Sequence, residues 1–186
     1  MKYKSKLLGA TIYFANSPSL LGQEVKGFVA FWGGILSNWA KSDFVCDTLF
    51  PDITLNCVEQ GMMLMKASLF RDHKSFDKIL KENDPRIQKA LGRQVKNFDS
   101  TTWNKVVLDY VSKLCYDKFT QNEEWGELLK LTYPLDLVEA SPYDKVWGIG
   151  LAEDDPKIID RQNWKGKNWL GEALMIARDR ILDERS

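Results

Sequence analysis

The chain has 186 residues, 44% of them hydrophobic and 28% charged, and its 26 basic side chains balance 26 acidic ones. That composition suits one globular domain over residues 1–186 with a substantial core, and zero net charge removes any chain-wide electrostatic footprint for nucleic acid while leaving room for a local basic patch. No run of 18 or more apolar residues occurs, so no membrane partner is expected, and a single histidine, His73, narrows the catalytic chemistries open to the chain.

The opening "MKYKSKLLGATIYF" has a basic start but only a short apolar stretch, with no small-residue cleavage site behind it. Cys46, Cys57 and Cys115 are odd in number and widely spaced, as reduced thiols are. Together these features lead to the expectation of a cytoplasmic protein whose cysteines are small buried hydrophobes. The first third reads as short strands and turns: "ATIYF", "GFVAF", "DFVCDTLF" and "DITLN" are rich in β-branched and aromatic residues and are punctuated by Gly, Pro, Asn and Asp.

From Glu59 onward helical periods dominate. In "CVEQGMMLMKASLF", Val58, Met62, Met65 and Leu69 form a core stripe, and Glu59, Met63 and Lys66 form the stripe beside it. Asp84 and Pro85 make an N-cap and a first helical residue, and Gly92 stands where that helix ends. Asp99 and Ser100 offer a cap for "TTWNKVVLDYVSKLCYDKF", read as one helix with Trp103, Val107, Tyr110 and Leu114 on one face. A short helix over "NEEWGELLKLT" is stopped by Pro134. The stretch "LVEASPYDKVWGIGLAEDDP" has no period. The last helix, "NWLGEALMIARDRIL", puts Leu170, Leu174, Ala177 and Ile181 toward the core.

Three stretches invite chemistry, each with a plainer alternative. Glu59 sits beside an apolar stripe with Lys66 two turns on; as a surface acid it would gain only the helix-dipole term of about 0.3–1 kcal/mol. In "AFWGGILSNWAKSDF" two glycines let the backbone approach a ligand, and Ser37 and Asn38 supply short polar arms; the alternative is a tight turn with Trp32 and Trp39 in the core. In "WKGKNWLG", Asn168 offers a cap for the last helix, and Lys165 and Lys167 could meet an anion there. No phosphate-binding G-x-x-x-x-G-K-[ST] loop and no H-x-E with P-C-x-x-C zinc pattern occurs. No cofactor and no metal site is expected, and acid–base work falls to Asp, Glu, Lys or Tyr.

Taken in order, "FWGGILSNWAKSDF", "CVEQGMMLMKASLFRD", "DPRIQKALGRQVKNFD", "LLKLT", "LVEASPYDKVWGIGLAEDDP" and "WKGKNWLGEALMIARDRIL" resemble the NADAR, or YbiA-like, family over Phe31 to Leu182. The resemblance implies a compact, predominantly helical α+β domain with a small N-terminal sheet. It implies N-glycosidase chemistry, with three readings open. One removes ADP-ribose from guanine in nucleic acid or a related nucleotide, one splits phosphorylated riboflavin-pathway intermediates, and one is a non-catalytic NAD- or ADP-ribose-binding module. The expected partners are an ADP-ribose-containing or ribose-phosphate nucleotide, including ADP-ribosylated DNA or RNA.

By the same resemblance Glu59 of "VEQ" is the catalytic glutamate, Trp103 a pocket aromatic and Asp144 of "SPYDKVWG" a second acid, followed by Trp147. Glu59 would stabilise the oxocarbenium-like sugar or activate water. Lys66 would hold it ionised or bind phosphate, Asp144 would meet ribose hydroxyls or assist a proton transfer, and Trp147 would stack. Gly148 and Gly150 would let the loop pass close to the ligand. Trp32, Gly34, Ser37, Asn38 and Asn168 complete the expected binding set. Glu139 is expected to be structural, and Glu153 to Asp155 a solvated turn. Many family members have a small hydroxyl two places before the glutamate, where this chain has Cys57.

Overall fold

The protein is described by a computed structural model covering residues 2–14 and 27–184. Among these residues are six strands and seven α-helices, a predominantly helical α+β fold. The chain divides into two compact units, residues 1–37 with 124–186, and residues 38–123.

The first unit is built on a four-stranded sheet. Its strands are β1 (Lys2–Ser5), β2 (Ala10–Phe14), β3 (Gly27–Phe31) and β6 (Asp136–Glu139), in the order β1-β2-β3-β6. The first three run antiparallel, and β6 joins parallel to β3 with Phe28 opposite Asp136 and Phe31 opposite Glu139. The expected strands "ATIYF" and "GFVAF" are β2 and β3. Strand β6 was not foreseen, because it is four residues long and leads straight into an irregular loop. Its centre, Leu137 and Val138, is fully buried, the pattern of a strand covered on both faces. Tyr13, Phe28, Ala30, Val138, Ala140, Ile149 and Ile158 form the core, with Trp164 packed edge-on to Phe28 at 5.3 Å between ring centroids.

Helix α7 (Trp169–Asp183) packs against β6 through Gly171, where a Cβ would fall on the Leu137 carbonyl and on the Asn168 amide. Leu170, Leu174, Ala177 and Ile181 are buried, as the period predicts. Helix α6 spans Glu123–Lys130, and the buried Arg178 ties α7 to the segment between α6 and β6. Its guanidinium donates to Thr132 Oγ1 at 3.1 Å and to the Leu135 carbonyl at 2.7 Å.

The second unit is helical around α1 (Val58–Leu69), which packs on α2 (His73–Leu80), α3 (Pro85–Gly92) and α5 (Val107–Thr120). Strands β4 (Phe44–Cys46) and β5 (Phe50–Leu55) form an antiparallel hairpin beside them, matching "DFVCDTLF" and "DITLN". Asp84 caps α3 with Pro85 at its first position, and Asp99 caps α4 (Ser100–Asn104), both as the sequence predicts. The single helix expected from Thr101 to Phe119 is two, α4 and α5. A tight turn closes from the Val106 N–H to the Trp103 carbonyl at 3.1 Å, and it buries Trp103 and Val107 together. No helix among the described residues is long and apolar enough to cross a membrane.

Candidate functional site

In the second unit the first turn of α1 is a polar construction inside an apolar shell. Cys57 caps the helix, its sulfur accepting from the Gln60 N–H at 3.4 Å and donating to Gln88 Oε1 at 3.2 Å. The cap that a small hydroxyl would supply is thus supplied here by a thiol, which burial pushes up to about 11. Gln60 accepts from the Asn56 N–H at 2.9 Å and donates to the carbonyls of Ile79, Leu80 and Glu82. Gln88 donates to Asn56 Oδ1 at 3.1 Å and to the Glu82 carbonyl at 2.7 Å. Amides saturated in this way fix the helix start, because a buried donor or acceptor left unmade costs about 1–3 kcal/mol.

Glu59 projects from that turn and is 2% exposed, so the surface-acid alternative does not hold. Its N–H donates to the Asn38 carbonyl at 3.0 Å, and its Oε2 accepts from the Trp39 indole at 3.3 Å. Asn38 is 6% exposed, and among the described residues its Oδ1 is buried with no hydrogen-bond partner. That orphaned acceptor is the kind of group a ligand N–H or O–H satisfies.

Lys66 lies half-buried two turns along α1, its Nζ 4.8 Å from the Phe98 ring centroid and 5.2 Å from that of the buried Trp103. Burial lowers its pKa from the usual lysine value; the Glu59 charge opposes that shift, and Arg93 and Lys89 add to it. Two further cations therefore share its field. Helix α3 brings them, because Gly92 has no side chain: a Cβ there would fall on the Met63 sulfur. Lys89 and Arg93 flank that glycine, and Lys89 Nζ stands 5.9 Å from the Trp39 ring. The result is a buried carboxylate beside three cations and the rings of Trp39, Phe98 and Trp103.

Of the residues named from the sequence, Glu59, Lys66, Asn38 and Trp103 come together here; Trp39, Lys89, Arg93 and the two glutamines beside them were not named as site residues. The buried face of α3 is Pro85, Gln88 and Gly92, which no apolar period reveals. The available signal was Lys89 and Arg93 four apart on either side of a glycine.

The remaining expected residues lie in the first unit. Trp32 is 59% exposed, and Trp39 of the second unit 40% exposed, so neither is the core residue that the tight-turn alternative required. Gly34 adopts φ 62°, and a Cβ there would fall on the Leu8 carbonyl; its bareness serves the protein's own turn. Ser37 is half-buried, its N–H donating to the Gly34 carbonyl at 3.2 Å.

Asp144 Oδ1 accepts from the N–H groups of Val146 and Trp147 at 2.9 and 2.8 Å, folding the loop after β6 onto one carboxylate. Trp147 is half-buried with its ring 6.0 Å from Trp169, edge to face. Gly148 is buried, and a Cβ there would meet the Glu139 carbonyl at 2.8 Å and that of Asp144 at 3.0 Å. The close approach it permits is to the chain's own backbone. Asn168 does not cap α7 with its side chain. It sits at φ 56°, which Asn tolerates, and its amide accepts from the Glu139 N–H at 2.9 Å and donates to the Leu137 carbonyl at 2.8 Å. The Glu139 backbone is held by this pairing, at the end of β6. Glu153 is more than a solvated turn: Thr11 donates to its carboxylate and Tyr13 to its carbonyl, because β2 turns both hydroxyls toward it. Among the described residues no three His, Cys, Asp or Glu side chains are grouped to hold a metal ion.

The family model described as the NADAR domain matches residues 30–182. The chain is 40% identical over 131 residues to Protein irg-1 of Caenorhabditis elegans, covering 69% of this chain and 62% of that protein. It is 43% identical over 121 residues to N-glycosidase R617 of Acanthamoeba polyphaga mimivirus, covering 65% of this chain and 71% of that one. The NMR structure of the Escherichia coli protein YbiA is similar with a TM-score of 0.68 and 26% identity, over 85% of this chain and 86% of that chain. With a family model spanning residues 30–182 and a solved relative of the same fold, the chain belongs to the NADAR domain family.

Proposed function

We propose that this protein is an N-glycosidase that removes ADP-ribose from guanine-type nucleobase adducts. The observation that carries the reading is Glu59, a carboxylate buried at a helix start that four polar side chains hold still. Breaking an N-glycosidic bond leaves positive charge on the ribose at C1, and a preorganised carboxylate in a dry site stabilises that charge strongly. The C1–N electron pair leaves with the base, which takes up a proton from solvent and departs neutral. Water bonds to C1 and gives a proton to Glu59, which returns it to solvent.

The surrounding groups fit the rest of such a substrate. Lys66, Lys89 and Arg93 offer three cations to a pyrophosphate. The rings of Trp39, Phe98 and Trp103 offer flat apolar faces, and Asn38 Oδ1 offers an acceptor to a ligand hydroxyl or amine. The names of N-glycosidase R617 and of N-glycosidase YbiA of Escherichia coli support the bond class, and a base bearing ADP-ribose supplies both the glycosidic bond and the phosphates that the cations call for.

The test is incubation with an ADP-ribosylated guanine nucleotide and, separately, with phosphorylated riboflavin intermediates, products being read by mass spectrometry. Released ADP-ribose with unmodified guanine is the expected outcome. Cleavage of the riboflavin intermediates alone would move the assignment to that substrate, and ADP-ribose binding with no cleavage of either would make the protein a binding module.

A further inference from the structure

The hairpin of β1 and β2 stands ahead of the matched domain, which begins at residue 30. Strand β1 forms the outer edge of the sheet, and among the described residues no further strand pairs with it. Its four residues are registered on β2, Lys2 against Tyr13 and Lys4 against Thr11, with Tyr3 against Ile12 and Ser5 against Ala10. The turn that closes the hairpin is firmly held. The Leu8 N–H donates to Ser5 Oγ at 3.3 Å, and Leu8 is buried. Gly9, at φ 64°, lies so close to Gly34 that a Cβ on it would stand 3.0 Å from the Gly34 Cα. In an antiparallel pair each strand turns the N–H and C=O groups of alternate residues away from its partner. An edge strand held in this way presents those groups in fixed positions to an incoming chain.

The side chains along that edge are patterned by charge. Alternation puts Lys2 and Lys4 on one face of the strand and Tyr3 on the other. Lys6 follows in the turn with Leu7. The three lysines are exposed, as are Tyr3 at 62% and Leu7 at 69%. Among the described residues none of Lys2, Lys4 and Lys6 is in an ion pair. Glu153, on the face of Lys2 and Lys4, is engaged by Thr11 and Tyr13. Lysines on an edge ordinarily guard it against strands that would add by accident. They oppose a second copy of β1 in particular. A two-fold axis through Lys4 sets that lysine against itself, one through Tyr3 sets Lys2 against Lys4, and like charges directly opposite destabilise a strand pair. The same row attracts a strand of the opposite sign.

We propose that the outer edge of β1 docks an extended acidic peptide as a fifth strand of the sheet. Main-chain hydrogen bonds to the open edge supply the affinity, and the side chains on the two faces supply the selectivity. Acidic side chains of the peptide meet Lys2 and Lys4 on one face, and the residues between them cover Tyr3 on the other. The partner that fits is therefore a segment of alternating acidic and apolar residues. The edge shares no residue with the buried carboxylate and its cations, so the inference stands apart from the glycosidase reading.

Fluorescence anisotropy with a short fluorescein-labelled peptide alternating glutamate and valine tests it. The wild-type protein is expected to bind this peptide and to discriminate against one alternating lysine and valine. The double variant Lys2→Glu, Lys4→Glu should weaken binding about five-fold or more, the scale of two exposed ion pairs made repulsive. Circular dichroism confirms that the variant is folded, and if it is not, Lys2→Gln with Lys4→Gln replaces it. Strand addition has a further signature, because only alternate residues of the peptide turn their N–H groups to β1. N-methylation of one alternate set should abolish binding, and N-methylation of the other set should leave it. Absent binding by wild type, unchanged affinity in the lysine variant, or equal affinity for the two N-methylated peptides overturns the inference. A dimer seen by sedimentation of the protein alone and dissociated by the peptide would make a second copy the occupant and overturn it as well.

Discussion

A carboxylate taken out of water must be repaid by hydrogen bonds and nearby charge, and Glu59 has the Trp39 indole and the Lys66 ammonium for this. Removing the two added cations by Lys89→Gln with Arg93→Gln should raise KM about ten-fold or more, since a hydrogen bond to a charged group is worth about 1.5–3 kcal/mol. Steady-state kinetics should show kcat changed less than KM; a fall in kcat at constant KM would argue against phosphate binding. Lys118 allows a second test. It is buried, and desolvation brings its pKa down to about 8, opposed by Cys115 and Cys57. Between pH 8 and 10 the unfolded lysine holds its proton while the folded one loses it, so the contribution of Lys118 to stability should rise with pH by at most about 1.4 kcal/mol per unit. Three buried thiols act in the opposite direction over the same range. Burial pushes the thiols of Cys46 and Cys115 up to about 12 and Cys57 to about 11, while unfolded thiols ionise. Urea midpoints of wild type and Lys118→Met across this range check it: stability should fall with pH more steeply in Lys118→Met than in wild type, and parallel profiles would contradict the lysine's role. Glu59 was legible in the sequence as an acid next to an apolar stripe. Its burial was not, because that depends on Asn38 and Trp39, twenty or so positions earlier.

Elements show the same division between local and long-range causes. Capping residues placed the starts of α3 and α4 in the sequence, since a cap acts within one turn. Helix α2 and strand β6 escaped notice: α2 has one buried residue, Ile79, and β6 is defined by pairing with β3, more than 100 positions away. The Asn168 clip onto β6 was likewise hidden, its partners lying 29 and 31 positions away. Arg178 holds the neighbouring corner. Arg178→Met should cost at least about 2 kcal/mol, because it strands the Thr132 hydroxyl and the Leu135 carbonyl among buried groups. Chemical denaturation measures this, and a variant as stable as wild type would show that water replaces both bonds at no cost.

At the scale of the whole molecule, the NADAR assignment rests on residues 30–182 and on a solved relative of similar fold, and the proposed chemistry rests on the carboxylate of the second unit. The donors needed for a metal centre of the usual zinc kind are not gathered among the described residues, and activity is expected to survive exhaustive treatment with EDTA; full loss restored by a divalent cation would contradict this. The central claim is that Glu59 stabilises a ribosyl cation. Its most direct test is single-turnover hydrolysis of an ADP-ribosylated guanine substrate by wild type and Glu59→Gln, with the unfolding midpoint of both recorded. The account predicts a rate lower by about 10²-fold or more, the scale of a lost electrostatic stabiliser, at an unchanged or higher midpoint, because glutamine removes a buried charge. Near-normal turnover by folded Glu59→Gln would contradict it.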